Sequence, residues 1–200
     1  MKQGSKLELA RCAHCNVAKP HLVRNNAFNT TDFAGGNPRC WAIYWCGSCG
    51  GAVLTSAPAP QGSPPQNIAD IWPSPLSVAD EIPGRAREYL EQAIACIHAP
   101  SGAVMLTASA VDSMLKEIGF SQGTLYSRID EATKQHKITP DMAKWAHEVR
   151  LDANDQRHAD DNAALPTEAD ATRVVEFART LAQLLFVLPA QVSRGRAKSA

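Results

Sequence analysis

From about residue 83 to residue 190, apolar side chains recur every three or four positions, the spacing of helices that each bury one face. Ala86, Leu90, Ala93, Ile94 and Ile97 form the first stripe, with Asp80 as its cap and Pro83 in its opening turn; "HAPSG" ends it. A second helix begins near Ser101, buries Val104, Met105, Ala108, Val111 and Leu115, and stops at Gly119. "TLYSRIDEATKQH" makes a third, with Leu125 and Ile129 inward. Thr139 as cap and Pro140 as first residue open a fourth, in which Met142, Trp145, Val149 and Ala153 are spaced to face the core. The fifth starts near Glu168, buries Val174, Phe177, Leu181, Leu184, Leu185 and Leu188, and ends at Pro189. Upstream the period shortens: "CWAIYW" reads as a strand. The pattern predicts a mainly α protein, a bundle of about five helices over residues 78–190 preceded by a small β-rich unit over 1–55.

Between these units, "SAPAPQGSPPQN" replaces apolar residues with Pro, Gly, Ser and Gln, a composition that cannot bury enough surface to offset chain ordering. Residues 56–77 therefore read as a Pro-rich linker plus an extended segment, with Ile68, Ile71, Trp72 and Leu76 laid against the larger domain. Residues 191–200 read as a basic disordered tail.

Hydrophobic residues make up 44% of the chain, enough for a globular core, and 20 basic side chains balance 20 acidic ones. Residues 1–60 nevertheless carry six basic side chains and two acidic ones, so any electrostatic footprint is local. No run approaches the roughly 18–20 apolar residues of a membrane span, and "MKQGSKLELARC" lacks an apolar export region. The expected compartment is a prokaryotic-type cytoplasm with no membrane partner, where paired cysteines read as metal ligands before disulfides.

Two C-x-x-C units supply the strongest local chemistry, Cys12/Cys15 in "CAHC" and Cys46/Cys49 in "CGSC". Each turn points two sulfurs at one place, so the pair furnishes the tetrahedral Cys₄ shell of a structural zinc ribbon. Four thiolates leave no coordination position for water, so the Zn²⁺ stabilises the fold and does no catalysis. Cys40 is a buried strand thiol or a replacement ligand, and His14 and His21 are further candidate ligands. Cys96 reads as a small core residue.

The fourth helix runs into "VRLDANDQRHADD" and becomes polar. Arg150, Asn154 and His158 follow at i, i+4 and i+8, drifting about 40° per step, so they share one sector on successive turns. They are candidates for a phosphate clamp, an orienting amide and a proton-transfer group. A solvated helix end with its cations at the dipole's negative pole is the plainer reading.

Four phrases carry a family resemblance: "VADEIPGRAREYLEQAIAC", "AVMLTASAVDSMLKEIG", "ITPDMAKWAHEVRLDANDQRHADD" and "TEADATRVVEFARTLAQLLFVLP". In them the chain resembles an uncharacterised family, domain of unknown function 4145, which is associated with restriction endonucleases and related to HEPN helical bundles. The resemblance implies a HEPN-like bundle of about five helices after a zinc ribbon, a homodimer, and, in active members, metal-independent RNA cleavage across the dimer cleft. Arg150, Asn154 and His158 would then be catalytic. Asp152, Asp155, Asp160 and Asp161 crowd the same helix end and repel phosphate, and no positive cleft is visible in the sequence. The reading carried forward is a non-catalytic zinc-containing binding protein with a protein, RNA or DNA partner, in a restriction or phage-defence setting. The ribonuclease is its alternative.

Overall fold

Alternation along "RCWAIYWC" turns Ala42, Tyr44 and Cys46 to the inside of a sheet and Trp41, Ile43 and Trp45 to its other face. The computed structural model describes residues 1–60, 67–158 and 164–197. In it this stretch is β3 (Arg39–Cys46), the central strand of five. Its companions are β1 (Lys6–Leu7), β2 (Leu22–Thr30), β4 (Ala52–Pro58) and β5 (Asp70–Trp72), all antiparallel neighbours in sequence order. A bulge between Arg24 and Asn26 shifts the β2–β3 register. Leu7, Leu22, Tyr44 and Val53 fill the core beneath.

This sheet belongs to one of two compact units, residues 1–76. The other, residues 77–200, is helical: α1 (Gly84–Ala95), α2 (Pro100–Glu117), α3 (Leu125–Lys134), α4 (Pro140–His158), α5 (Glu168–Ala182) and α6 (Leu188–Ala197). The expectation of a mainly α protein is corrected to a mixed one, helices beside a five-stranded antiparallel sheet. The reason lies in β2, whose "LVRNNAFNT" is too polar to show a strand pattern because all but Leu22 is exposed.

Two further expectations change. β5 pairs with β4, and Ile68 and Ile71 pack on the core of the sheet unit, so the segment after the Pro-rich run, expected on the larger domain, is an edge of the sheet. Ser56, Ala57 and Pro58, read as linker, are strand residues. At the other end Pro189 does not stop the last helix. Gln183–Val187 form a π-turn in which the Leu188 N–H donates to the Gln183 carbonyl, and the chain continues as α6 through Ala197. A widened turn immediately before proline accommodates the ring and its missing donor. Residues 191–197, expected as a disordered tail, are therefore helical, while 198–200 lie outside the described residues.

The helical core centres on Leu90, Met114, Leu115, Ile129, Phe177 and Leu181. Thr124 and Thr167 cap α3 and α5 in reciprocal capping boxes with Ser127 and Asp170. Asp80, in contrast, caps nothing: α1 begins after Pro83, and the Asp80 carboxylate accepts from Arg87 at 2.8 Å. In α4 the buried face is made of small side chains, Ala143, Ala146, Val149 and Ala153, while Met142 and Trp145 are only partly buried. Trp145 tilts against Phe177 with ring centroids 4.9 Å apart. Among the described residues no helix is long and apolar enough to cross a membrane.

Removing the Phe177 ring leaves a cavity where α5 meets its neighbours. Phe177→Ala should lower unfolding free energy by about 3–5 kcal/mol, and Thr167→Ala, which deletes only a cap, by about 1 kcal/mol. Denaturant titration of the two variants checks the ratio.

Candidate functional site

Two turns of the same construction frame the sulfur cluster. In the first, the Asn16 N–H donates to the Cys12 carbonyl at 3.1 Å and the Cys12 N–H to the Val17 carbonyl at 3.0 Å. In the second, the Gly50 N–H donates to Cys46 at 2.8 Å and the Cys46 N–H to Gly51 at 3.0 Å. Both turns need a left-handed residue directly after the second cysteine; Asn16 has φ 55° and Gly50 φ 72°. The result brings the sulfurs of Cys12, Cys15, Cys46 and Cys49 within 4.8 Å of one another.

That geometry fits zinc. A tetrahedron with Zn–S bonds of about 2.3 Å has sulfur–sulfur edges of about 3.8 Å, and the Cys12 and Cys49 sulfurs are 4.0 Å apart. Backbone N–H groups already point at the ligands, from His14 to the Cys12 sulfur and from Gly51 to the Cys49 sulfur, each at 3.4 Å. The thiols are electrostatically uneven. Burial pushes the Cys46 thiol up, but the N–H groups of Cys49 and Ser48 and the thiols of Cys12 and Cys49 prevail and bring it to about 7. At Cys49 the Gly51 N–H favours the thiolate, yet burial and the other three sulfurs drive it up to about 12. One thiolate is thus favoured at the expense of its neighbours, a conflict that a divalent cation removes.

The other sulfur and imidazole candidates lie elsewhere. The Cys40 thiol is directed at the Trp41 carbonyl, 3.9 Å away, and neither it nor His14 nor His21 belongs to the four-sulfur group. The His14 ring instead touches the Ala52 carbonyl at 2.8 Å, and a Cβ on Gly51 would fall 2.5 Å from that ring. The imidazole therefore packs one turn against the other. Cys96 follows α1 as its C-cap and is half-buried.

The helical unit holds a second arrangement. Arg85 from α1, Lys116 from α2, Arg128 from α3, and Arg150 and Arg157 from α4 line one cleft of about 370 Å³. Its floor includes Ala108 and Ala153, and its single carboxylate, among the described residues, is Asp112. Asp112 is shared by Lys116, at 2.5 Å, and by Arg128 through a short contact. Arg128 is fixed further by donating to the carbonyls of Gly123 at 2.7 Å and Ser121 at 3.3 Å, and its side chain is 10% exposed. Arg150 lies over the Tyr126 ring at 5.4 Å, and Tyr126 in turn tilts against His147 at 4.7 Å. The Nε atoms of Arg128 and Arg150 are enclosed and have no hydrogen-bond partner among the described residues.

Of the polar-sector candidates, Arg150 and Asn154 line this cleft, whereas His158 is exposed at the last position of α4 and does not. Arg157 takes its place, because seven residues advance a helix by nearly two full turns and return to the Arg150 side. Asp152 is on the far side, 3.5 Å from Arg173 of α5; burial raises its carboxyl against the pull of that arginine. The acids therefore do not close the cleft to anions, and Asp160 and Asp161 lie outside the described residues. Arg85, Lys116, Arg128 and Arg157 escaped the sequence reading because four helices contribute to one site; the i, i+7 pair in α4 was the available signal.

A sheet built over a zinc-type cysteine cluster and a helical unit with a basic cleft define the class. The chain belongs to the family described as a domain of unknown function, DUF4145, whose model matches residues 91–198 and so takes in every cation of the cleft except Arg85. No curated protein and no solved structure matches the chain.

Metal analysis of the purified protein should give about one zinc per chain, and Cys46→Ser should abolish it. Because zinc must displace protons that Cys12 and Cys49, both raised, still hold above neutral pH, its affinity should fall with pH from the alkaline side onward, and more steeply below about 7, where Cys46 is protonated as well. Competition with a chromophoric chelator across that range measures the effect, and a pH-independent affinity would contradict the assignment.

Proposed function

We propose that the protein is a non-catalytic, zinc-stabilised nucleic-acid-binding protein, whose helical unit grips backbone phosphates in the cleft of Arg85, Lys116, Arg128, Arg150 and Arg157. The carrying observation is the convergence of five cations on one concave surface holding one carboxylate. Guanidinium groups present paired donors to phosphate oxygens, and release of condensed counterions supplies the driving force. Arg128 is anchored before any ligand arrives, so little side-chain entropy is lost on binding. The zinc centre contributes stability alone, since a Cys₄ shell is closed.

The resemblance to HEPN bundles supports RNA as the ligand and a restriction or phage-defence setting. The imidazole of His158 is outside the cleft lining. A ribonuclease would need that group beside the phosphate it acts on.

Binding to a single-stranded RNA should weaken with salt, and Arg150→Ala should reduce the slope of log K against log salt by about 0.7. His158→Ala should leave both affinity and slope unchanged. Incubation with total RNA in EDTA should yield no cleavage by either protein; cleavage lost in His158→Ala would replace the binding reading with the ribonuclease one.

A further inference from the structure

On the outer face of the sheet, three aromatic rings from three strands form a row. Phe28 of β2 stands opposite Trp41 of β3 in register, with ring centroids 6.3 Å apart and planes 12° from parallel. Trp72 of β5 reaches across β4 to Trp41 at 5.8 Å and 26°. It can do so because the β4 residue opposite Trp41 is Ser56, a small side chain that is fully buried. The Trp41 indole N–H donates to the Thr30 hydroxyl at 2.8 Å, which fixes the middle ring. The outer two remain open to solvent, Phe28 46% and Trp72 44% exposed, and Trp45 continues the same face.

Near-parallel rings standing in a row on a sheet surface differ from the tilted contacts of a packed core, such as Trp145 on Phe177. The middle ring has a neighbour stacked on each side, so a flat π-ligand reaches the row at its outer members, Phe28 and Trp72, which are half exposed and held at fixed orientation. Charge points the same way. Arg39 stands two residues before Trp41 on the same face, half exposed beside Asp70 at 3.8 Å. The sheet unit, residues 1–76, carries six basic side chains and three acidic ones, Asp70 included. An apolar protein partner would have no use for that excess, whereas a phosphate backbone would.

We infer that the Phe28–Trp41–Trp72 row is a stacking platform for the bases of a single-stranded nucleic acid, with Arg39 at the backbone. The inference shares a ligand class with the proposed cleft but uses a different unit and different side chains, and either can fail without the other. Stacking reads neither sugar nor sequence, so ribose and deoxyribose strands bind through the same chemistry. A duplex, whose base faces are covered, does not.

The test uses the full-length zinc-loaded chain and tryptophan emission, titrated with oligouridine and oligodeoxythymidine of about ten nucleotides and with a duplex of equal length. Both single strands should quench the emission, and Trp72→Ala and Phe28→Ala should each weaken their binding about tenfold. Trp72→Phe, which keeps a ring, should restore most of the affinity. Zinc content and circular dichroism of each variant report that the sheet is intact. Wild-type affinity in folded Trp72→Ala and Phe28→Ala, absence of quenching, or duplex binding that depends on the same two residues would each overturn the platform. Quenching by oligouridine alone would overturn the sugar-blind stacking mode.

Discussion

Four sulfur atoms drawn to one point set the register of everything in the N-terminal unit. A chain segment of this size buries too little apolar surface to be secure by packing alone, and its core here rests on a handful of large side chains, Leu7, Leu22, Tyr44 and Val53. Joining Cys12 and Cys15 to Cys46 and Cys49 closes a loop of some thirty residues, and it also decides which way β3 faces. Once Cys46 points inward, alternation sends Tyr44 and Ala42 inward too and leaves Trp45, Ile43 and Trp41 outside. A slip by one residue would carry the sulfur out of the cluster and the tryptophans into the core. The exposed aromatic row is thus a consequence of the cysteine cluster, made at the far surface of the same strand.

In the helical unit a carboxylate plays the organising part. Asp112 engages both Lys116 and Arg128, and so draws together cations from α2 and α3 that would otherwise repel. The small residues Ala108 and Ala153 form the floor between α2 and α4, leaving room above them for the long side chains at the rim. Burying Asp112 partly, with two cations on it, costs less than leaving Arg128 alone at the same depth. The Nε atoms of Arg128 and Arg150 are enclosed at this cleft with no hydrogen-bond partner among the described residues.

Periodicity made the helices readable, and the stripes of Leu90, Leu115, Ile129 and Phe177 are buried where their spacing put them. The cysteine cluster was readable for a different reason: its chemistry is local to two short turns. What failed to show were features settled by distant partners. β2 is mostly solvent-exposed and carries no apolar alternation, so its strand character comes from pairing with β3. Pro189 terminates helices by local rules, yet the π-turn before it absorbs the lost hydrogen bond. The cleft draws on residues 85, 116, 128, 150 and 157, and no single helix reveals it.

Net charge misled for the same reason. Exposed charges farther apart than a Debye length, about 8 Å at physiological salt, are largely screened from one another, so a phosphate in a cleft samples the nearby charges and not the sum over the chain. Three acids on or beside α4 are engaged away from the cleft: Glu148 and Asp152 face Arg173 at 3.4 and 3.5 Å, and Asp130 meets His147 at 3.0 Å. Along one helix, Asp152 and Arg150 are two residues and some 160° apart, so a sequence window sees them cancel while the surface separates them. Neutrality of the whole chain is therefore compatible with a cleft that is strongly positive. The share of that charge contributed by α4 is decided by which side of the helix each residue occupies, a property fixed by the buried face of Ala143, Ala146, Val149 and Ala153.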